Sequence, residues 1–241
     1  MKKPFAPSIV KSSQILKKIF NKKFLFGKIE EMMWTPLLYK NFITVLFVFL
    51  RKSSKSEVTL LLRNNYKIIL KTYLIYWKRG GLKEISNVFI RRNYSQHGLP
   101  LKKNDSVIVL GAHVGVFTIY AASKLLNTGR IFAYEPSPEN YTLLKKNVGL
   151  NKLKNVKTFQ RAVSSNGKPT KLYINESYYE HSLENKTDKF TIVKTITLNE
   201  IFDKHKIYVC NFLKMDIEGA EWKVLKSLSR QNLNKIQQIA M

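Results

Sequence analysis

The stretch VIVLGAHVGVFT, residues 107–118, decides the fold of this chain. Its first four residues are apolar without interruption, as in a strand that is buried on both faces of a parallel sheet. Gly111 and Gly115 then frame a turn, and helical spacing of apolar residues follows over 116–126. A glycine-rich turn between a strand and a helix lets the backbone pass close to a ligand and directs free N–H groups towards it. The spacing G-x-x-x-G differs from the G-x-G-x-x-G pattern of dinucleotide-binding proteins.

The alternation of strand and helix continues from this stretch to the end of the chain. It predicts an α/β fold with a doubly wound parallel sheet that has helices on both faces. Residues 164–197 are rich in β-forming residues and include a polar loop around Glu180, His181 and Ser182, which could cover a substrate or be only a surface loop. Further strands are predicted over residues 131–134, 156–163, 212–217 and 236–241, and further helices over 139–149 and 221–228.

The first hundred residues have a different pattern, which predicts a small N-terminal α+β cap. Asn64 and Asn65 separate two β-rich runs, and asparagine tolerates the left-handed conformation that tight hairpin turns require. We therefore divide the chain into a cap, residues 1–100, and a second domain, residues 101–241. Within the cap we expect a basic lead-in over residues 1–30, a helix over 36–50, a hairpin over 57–72 and a short helix over 83–91.

The charge of the chain is strongly positive. Its 241 residues include 42 Lys and Arg against 16 Asp and Glu, which gives a net charge of +26. Such a charge attracts nucleic acid, anionic membranes and polyanionic substrates. The basic residues are scattered, however, and no RNA-binding or helix-turn-helix pattern accompanies them, so we do not expect nucleic acid to be a specific partner. The single cysteine, Cys210, excludes an intramolecular disulfide and a Cys-rich metal site, so we assign no metal-binding residues and leave open whether a divalent cation is needed.

The apolar run FITVLFVFL, residues 42–50, has two interpretations. Its nine residues are too few to cross a membrane, which takes about 20. We favour a helix that is buried in the core of a cytoplasmic protein. The alternative is a monotopic anchor, which would associate the protein peripherally with an anionic membrane surface. In that case the cationic side chains on the headgroups would be Lys40, Arg51, Lys52 and Lys55.

Acidic residues follow two of the predicted strands. In GRIFAYEPSP, residues 129–138, Glu135 ends the second strand, where a carboxylate can accept both hydroxyls of an adenosyl ribose. In LKMDIEGAEW, residues 213–222, Asp216 and Glu218 lie at the same edge of the sheet. Carboxylates at a buried sheet edge are costly unless they bind something, so these two could orient a substrate hydroxyl, act as a general base or hold a divalent cation. We assign Glu221 only to the N-terminus of the next helix.

The segments GAHVGVFT, FAYEPSPENYTLLKKN and LKMDIEGAE together resemble the FkbM-like family of S-adenosylmethionine-dependent methyltransferases, from about residue 92 onward. The resemblance implies a Rossmann-like class I methyltransferase sheet, S-adenosylmethionine as the cofactor, and O-methylation of a hydroxyl on a sugar, a glycan or a related small molecule. It also implies that Asp216 and Glu218 face the substrate. Arg161, Ala162 and Val163 would border the adenine. The implied cofactor-binding residues are Tyr94, Gly111, Ala112, His113, Gly115, Thr118, Glu135, Pro136 and Ala162.

The chain departs from the family pattern in three places. Val109 stands where an acid usually precedes the turn, and His113 stands where asparagine is usual. The sequence ends at Met241, inside the predicted fifth strand, so we expect a C-terminally shortened sheet. These departures leave open a protein that binds the cofactor without turnover, and the net charge leaves open an RNA methyltransferase. The glycine spacing and the DIEGAE segment oppose an NAD-dependent oxidoreductase, which would share the sheet.

Overall fold

The computed structural model describes residues 33, 35–50, 55–75, 81–91, 94, 100–173 and 189–241. The predicted lead-in over residues 1–30 and the loop around residues 180–182 lie outside the described residues. In the cap, the described elements are α1 (Phe42–Phe49), β1 (Glu57–Leu61), β2 (Lys67–Lys71), α2 (Thr72–Ile75) and α3 (Gly81–Phe89). Within the described residues, no helix combines the length and the apolar character needed to cross a membrane.

The hairpin of the cap is confirmed. Strands β1 and β2 pair in antiparallel register, and Asn65 adopts a φ of 70° in the turn between them. The prediction of a single helix over residues 36–50 was wrong. Tyr39 leaves the helical conformation and bridges to Leu62, and the side chain of Asn41 bonds to the backbone of Thr59 and Leu61. These contacts to the hairpin break the helix, so that residues 35–38 and α1 are separate.

The second part of the chain folds as the predicted strand–helix alternation. Two short helices, α6 and α8, were not predicted. The elements are β3 (Ser106–Leu110), α4 (Val116–Leu125), β4 (Arg130–Tyr134), α5 (Pro138–Leu150), β5 (Val156–Phe159), β6 (Ala162–Val163), β7 (Thr170–Tyr173), β8 (Phe190–Val193), β9 (Thr195–Ile196), α6 (Leu198–Lys204), β10 (Phe212–Met215), α7 (Glu221–Lys226), α8 (Arg230–Leu233) and β11 (Ile239–Ala240).

The central sheet has five parallel strands in the order β11-β10-β3-β4-β5, which confirms the doubly wound α/β class. From β3 the chain runs outward through β4 and β5, and it then returns to β10 on the other side of β3. The strand order therefore reverses between β3 and β10, and ligands bind outside the carboxyl ends of the strands at such a point. The predicted strand over 156–163 was wrong as a single strand, because β6 leaves this sheet and pairs with β9.

Strand β3 lies in the middle of the sheet, and all five of its residues are buried. Val107 and Val109 pack in the same hydrophobic cluster as the helix α4 and the cap, whereas Ile108 and Leu110 pack in a second cluster on the opposite face. Burying one such side chain contributes about 1.5–3 kcal/mol, so the two-sided core fixes β3 firmly. The turn that follows β3 is thereby held in place.

Two asparagines, one in the last turn of α5 and one directly after it, join the cap hairpin to the rest of the protein. Asn147 is fully buried, and its Oδ1 accepts a 2.6 Å bond from the N–H of Ile69. Its Nδ2 donates to the carbonyls of Ile69 and Val114. One turn later, Asn151 forms the same pair of bonds with the backbone of Lys67. The two side chains thus bond to the free edge of β2 as a neighbouring strand would.

Candidate active site

A cavity that is partly open to solvent lies at the carboxyl ends of β3, β4 and β10. This is the place at which the strand order reverses, so the topology brings together residues that are more than a hundred positions apart. Gly111 follows β3, Glu135 follows β4 and Asp216 follows β10. The cavity is lined by Gly111, His113, Tyr134, Glu135, Pro136, Arg161, Ala162, Val163, Leu172, Asp216, Ile217 and Glu218.

The two glycines of the turn are required by contacts within the protein. Gly111 has a φ of +70°, and a Cβ atom there would lie 1.9 Å from the carbonyl oxygen of Asp216. Gly115 has a φ of +94°, and a Cβ atom there would lie 2.8 Å from Cδ1 of Leu144. Only glycine combines these conformations with such close contacts. Gly111 thus lets β3 and β10 converge at the cavity, whereas Gly115 supplies the left-handed conformation that begins α4.

Glu135 is buried, and both of its carboxylate oxygens are fixed by the backbone. Oε2 accepts a 2.7 Å bond from the N–H of His113, and Oε1 accepts a 3.0 Å bond from the N–H of Ser137. Burial raises the pKa of Glu135, while nearby His113 and the two backbone bonds oppose that rise. An ionised carboxylate has about four acceptor positions, so two remain for hydroxyl groups in the cavity.

Asp216 lies at the centre of a small polar group. Its Oδ2 accepts a 3.1 Å bond from Nζ of Lys214 and a 3.1 Å bond from the hydroxyl of Tyr94. Lys214 is buried on β10, and its Nζ also donates a 3.0 Å bond to the carbonyl of Gly111. Burial acts to raise the pKa of Asp216, but Lys214 and Tyr94 outweigh it and hold that pKa below the usual range. The Asp216 carboxylate is therefore ionised at neutral pH.

His113 connects the turn to the cap. It adopts a φ of 51°, and its buried Nδ1 lies 3.5 Å from Oε2 of Glu84 on α3. Burial acts to lower the pKa of His113, yet the charges of Glu84 and Glu135 raise it above the usual value. His113 therefore forms an ion pair with the cap, in addition to the backbone N–H that it donates to Glu135.

Glu218 and Glu221 have separate roles in the loop that follows β10. Glu218 lines the cavity and is held at a φ of 53°, a costly conformation for a residue other than glycine. Glu221 accepts bonds of 2.8 Å and 2.9 Å from the N–H groups of Ile217 and Gly219, which flank Glu218. Our assignment of Glu221 to the helix terminus alone missed this function, because the bonds depend on how the loop folds back.

Most of the site residues predicted from the sequence come together at the cavity, and Tyr94 reaches it through its bond to Asp216. Three others are not part of its lining. Thr118 is fully buried within α4, Ala112 is buried while its N–H donates to the carbonyl of Tyr134, and Gly115 lies at the start of α4. Lys214 was not predicted as a site residue, because the sequence alone does not distinguish a buried lysine in a strand from one that is exposed to solvent. The predicted residues that line the cavity are Gly111, His113, Glu135, Pro136, Ala162, Asp216 and Glu218.

Carboxylates are the most numerous charged groups in the cavity lining. Among the described lining residues there are three carboxylates, on Glu135, Asp216 and Glu218, against the guanidinium of Arg161 and the imidazole of His113, which pairs with Glu84. Across the full sequence the basic residues outnumber the acidic ones, 42 to 16. A cavity with an acidic lining in a basic protein favours a ligand that carries positive charge.

The family model of the methyltransferase FkbM domain matches residues 110–241, which is more than half of the chain. The chain belongs to the FkbM methyltransferase family. The matched region begins at the end of β3 and contains every cavity-lining residue that is described. The fold class and the family predicted from the three sequence motifs are thereby confirmed, together with the class of S-adenosylmethionine-dependent methyltransferases.

Two curated relatives of this FkbM methyltransferase are similar over most of its length. It is 24% identical to the methyltransferase sdnD of Sordaria araneosa over 188 residues, which cover 64% of this chain and 71% of the relative. It is 25% identical to methyltransferase 1 of Beauveria bassiana over 181 residues, which cover 64% of this chain and 70% of the relative.

Solved structures that match part of the chain include a methyltransferase and a protein in complex with AdoMet. The methyltransferase FkbM of Methylobacillus flagellatus KT matches with a TM-score of 0.39 and 16% identity, covering 59% of this chain and 32% of that one. The TYW2 protein of M. jannaschii, solved in complex with AdoMet, matches with a TM-score of 0.34 and 25% identity, covering 44% of each chain. The chain thus spans about a third of the length of the Methylobacillus protein.

The family's usual acid before the turn is replaced by Val109, which is fully buried in β3. Its partner in register on β10 is Lys214, so the two side chains lie next to each other on the same face of the sheet. In this FkbM methyltransferase, the Lys214 ammonium contacts both the carbonyl of Gly111 in the turn and the carboxylate of Asp216.

Proposed function

We propose that the chain binds S-adenosylmethionine in the cavity at the ends of β3, β4 and β10 and transfers its methyl group to a hydroxyl oxygen. The observation that carries the proposal is Glu135. It is a buried carboxylate at the end of β4, with both oxygens fixed by backbone N–H groups and with acceptor capacity left over. A pair of ribose hydroxyls is the ligand that a carboxylate in this position fits best.

The remaining lining residues also fit this cofactor. The cavity lies at the point where the strand order reverses, which is where small molecules bind in sheets of this class. Ala162, Val163, Leu172 and Ile217 offer apolar surface to an adenine ring. The carboxylates of the lining complement the positive charge of a sulfonium and an ammonium group. In the proposed arrangement, Glu135 holds the ribose and the turn after β3 lies against the methionine part.

The side chains of this protein have two tasks in the proposed reaction. S-adenosylmethionine supplies a methyl group on a sulfonium ion, so that a C–O bond to the acceptor forms as the C–S bond breaks. Asp216, kept ionised by Lys214, would accept a hydrogen bond from the acceptor hydroxyl and orient the oxygen. Its lowered pKa makes Asp216 a weak base. We therefore assign acceptance of the released proton to Glu218, which lines the same cavity.

The acceptor that we propose is a hydroxyl on a sugar, a glycan or a related small molecule. The acidic lining of the cavity supports this choice over RNA, since carboxylates beside the reacting oxygen would repel a phosphate backbone. Carboxylates are, by contrast, common partners for the hydroxyl groups of sugars, which donate hydrogen bonds to them.

Transfer of a radioactive methyl group tests the proposal. The purified protein is incubated with S-adenosylmethionine labelled in the methyl group and with either a panel of glycans or total RNA. We expect label in glycans and a loss of about 100-fold or more in kcat for Glu218→Gln, the usual range for removing a general base. The matched control is Glu139→Gln, an identical substitution of an exposed first-turn residue of α5, which should leave kcat unchanged.

Other outcomes would contradict particular parts of the proposal. Label that enters RNA and not glycans would overturn the acceptor class. Cofactor binding without transfer to any acceptor would overturn the catalytic assignment and would indicate a binding protein. A normal kcat in Glu218→Gln would remove Glu218 from the reaction while leaving the cofactor site intact.

A further inference from the structure

An apolar stripe is exposed on the cap. Ile43, Phe47 and Leu50 are 57%, 52% and 47% exposed. Their spacing of four and then three residues places them on one side of α1 and its last turn. Val45 and Val48, on the opposite side, are buried in the core. From the sequence we expected a helix buried in the core here, but the structure buries only one side of it.

The segment that contains this stripe has an unusual share of the exposed apolar surface. Fifteen large hydrophobic residues are exposed in the described part of the chain, and five of them lie between residues 33 and 50. Met33 and Leu37, at 70% and 63% exposed, precede the stripe. Scattered single hydrophobic residues are normal on a protein surface, whereas a concentration such as this marks a site of interaction.

Cationic side chains flank the stripe, and the sequence around it has no acid. Lys40 and Lys55 are exposed before and after α1. Arg63 is also exposed, and its Nε donates to the carbonyl of Pro36 just before the stripe. Residues 32–56 contain four Lys and Arg and no Asp or Glu, and residues 1–31 contain eight lysines and two glutamates. We name the stripe and its flanks, Lys40, Ile43, Phe47, Leu50, Lys55 and Arg63, the basic-apolar face.

We propose that the basic-apolar face docks this protein on an anionic lipid bilayer, with α1 lying in the plane of the interface. A bilayer of this kind satisfies both features at once, because the acyl region accepts the apolar stripe while the headgroups accept the flanking cations. A second copy of the chain is a poorer occupant, since it would bring a like-charged face and a net charge of +26 against this one. The eight-residue helix α1 is too short to span the bilayer.

Co-sedimentation with vesicles tests this surface, independently of any methyl transfer. The probes are phosphatidylcholine vesicles and vesicles with about a third of phosphatidylserine, used with the full-length chain in low salt. We expect the protein to sediment with the anionic vesicles at least tenfold more strongly than with the neutral ones, and we expect added salt to release it. The double variant Ile43→Ser/Phe47→Ser should bind the anionic vesicles at least tenfold more weakly.

A matched control distinguishes binding through this surface from nonspecific adsorption by any exposed apolar side chain. Leu126→Ser/Ile192→Ser removes two side chains that are 58% and 62% exposed in other parts of the protein, and it should bind like the wild type. Since the substituted residues are exposed, both variants should keep the wild-type melting temperature. The proposal is overturned if Ile43→Ser/Phe47→Ser binds as the wild type does or if neutral vesicles bind equally well. It is also overturned if light scattering shows a dimer that this variant dissociates, which would assign the face to a second copy.

Discussion

The contact between Lys214 and Asp216 allows a quantitative test of the site. Replacing Lys214 with methionine keeps the length of the side chain but removes the donor to Asp216 and to the carbonyl of Gly111. Breaking a buried ion pair from one side costs about 3–5 kcal/mol. The Asp216 side chain is 46% exposed, so water replaces part of the lost interaction, and we expect about 2 kcal/mol of lost stability.

A double-mutant cycle isolates the contribution of the pair. Urea denaturation of the wild type, Lys214→Met, Asp216→Asn and the double variant at pH 7 gives the coupling free energy, for which we expect about 1 kcal/mol. Because the pKa of Asp216 is lowered in the folded state, this stabilisation is complete above the unfolded pKa of about 3.9 and is lost only as the pH falls through the folded pKa. A coupling below about 0.3 kcal/mol at pH 7 would refute the reasoning, since that is the value for independent sites.

Three further predictions follow from single contacts. Gly111→Ala should lower the free energy of unfolding by roughly 2 kcal/mol or more, because its Cβ atom would lie 1.9 Å from the Asp216 carbonyl oxygen. An unchanged melting temperature would contradict this prediction. Glu84→Gln should destabilise the protein at pH 6 but little at pH 9, because the raised pKa of His113 makes the ion pair fully effective below about pH 6.5 and lost as the pH rises through the folded pKa; equal losses at both pH values would exclude the pair. Asn147→Ala should cost roughly 2–4 kcal/mol and expose the hairpin to hydrogen exchange, and unchanged protection of β2 would show that the cap docks by other contacts.

Local patterns were sufficient to predict the sheet and part of the site. The stretch around Gly111 encodes a strand, a turn and a helix in consecutive residues, and Glu135 and Asp216 each follow an apolar strand directly. The ends of parallel strands meet at one edge of a sheet, so the approach of these residues could be inferred without knowing the packing.

The contacts that depend on distant residues could not be predicted in this way. Lys214 is recognisable as a buried lysine only when the carbonyl of Gly111, 103 positions earlier, is in place. The contact between His113 and Glu84 depends on how the cap packs against the turn. Thr118 and Ala112 were assigned to the cofactor site from the family resemblance, but the first turn of α4 directs Thr118 into the core.

Calorimetric titration with S-adenosylmethionine tests the central claim most directly, when it compares the wild type, Glu135→Ala and Glu139→Ala. Glu139 is the matched control, because it carries the same charge four residues later and contacts only the exposed hydroxyl of Tyr73 among the bonds described for it. Two charge-assisted hydrogen bonds to the ribose contribute about 1.5–3 kcal/mol each, so Glu135→Ala should bind at least about 100-fold more weakly while Glu139→Ala binds like the wild type. Wild-type affinity in a folded Glu135→Ala variant, or a folded wild type that does not bind S-adenosylmethionine, would contradict the account.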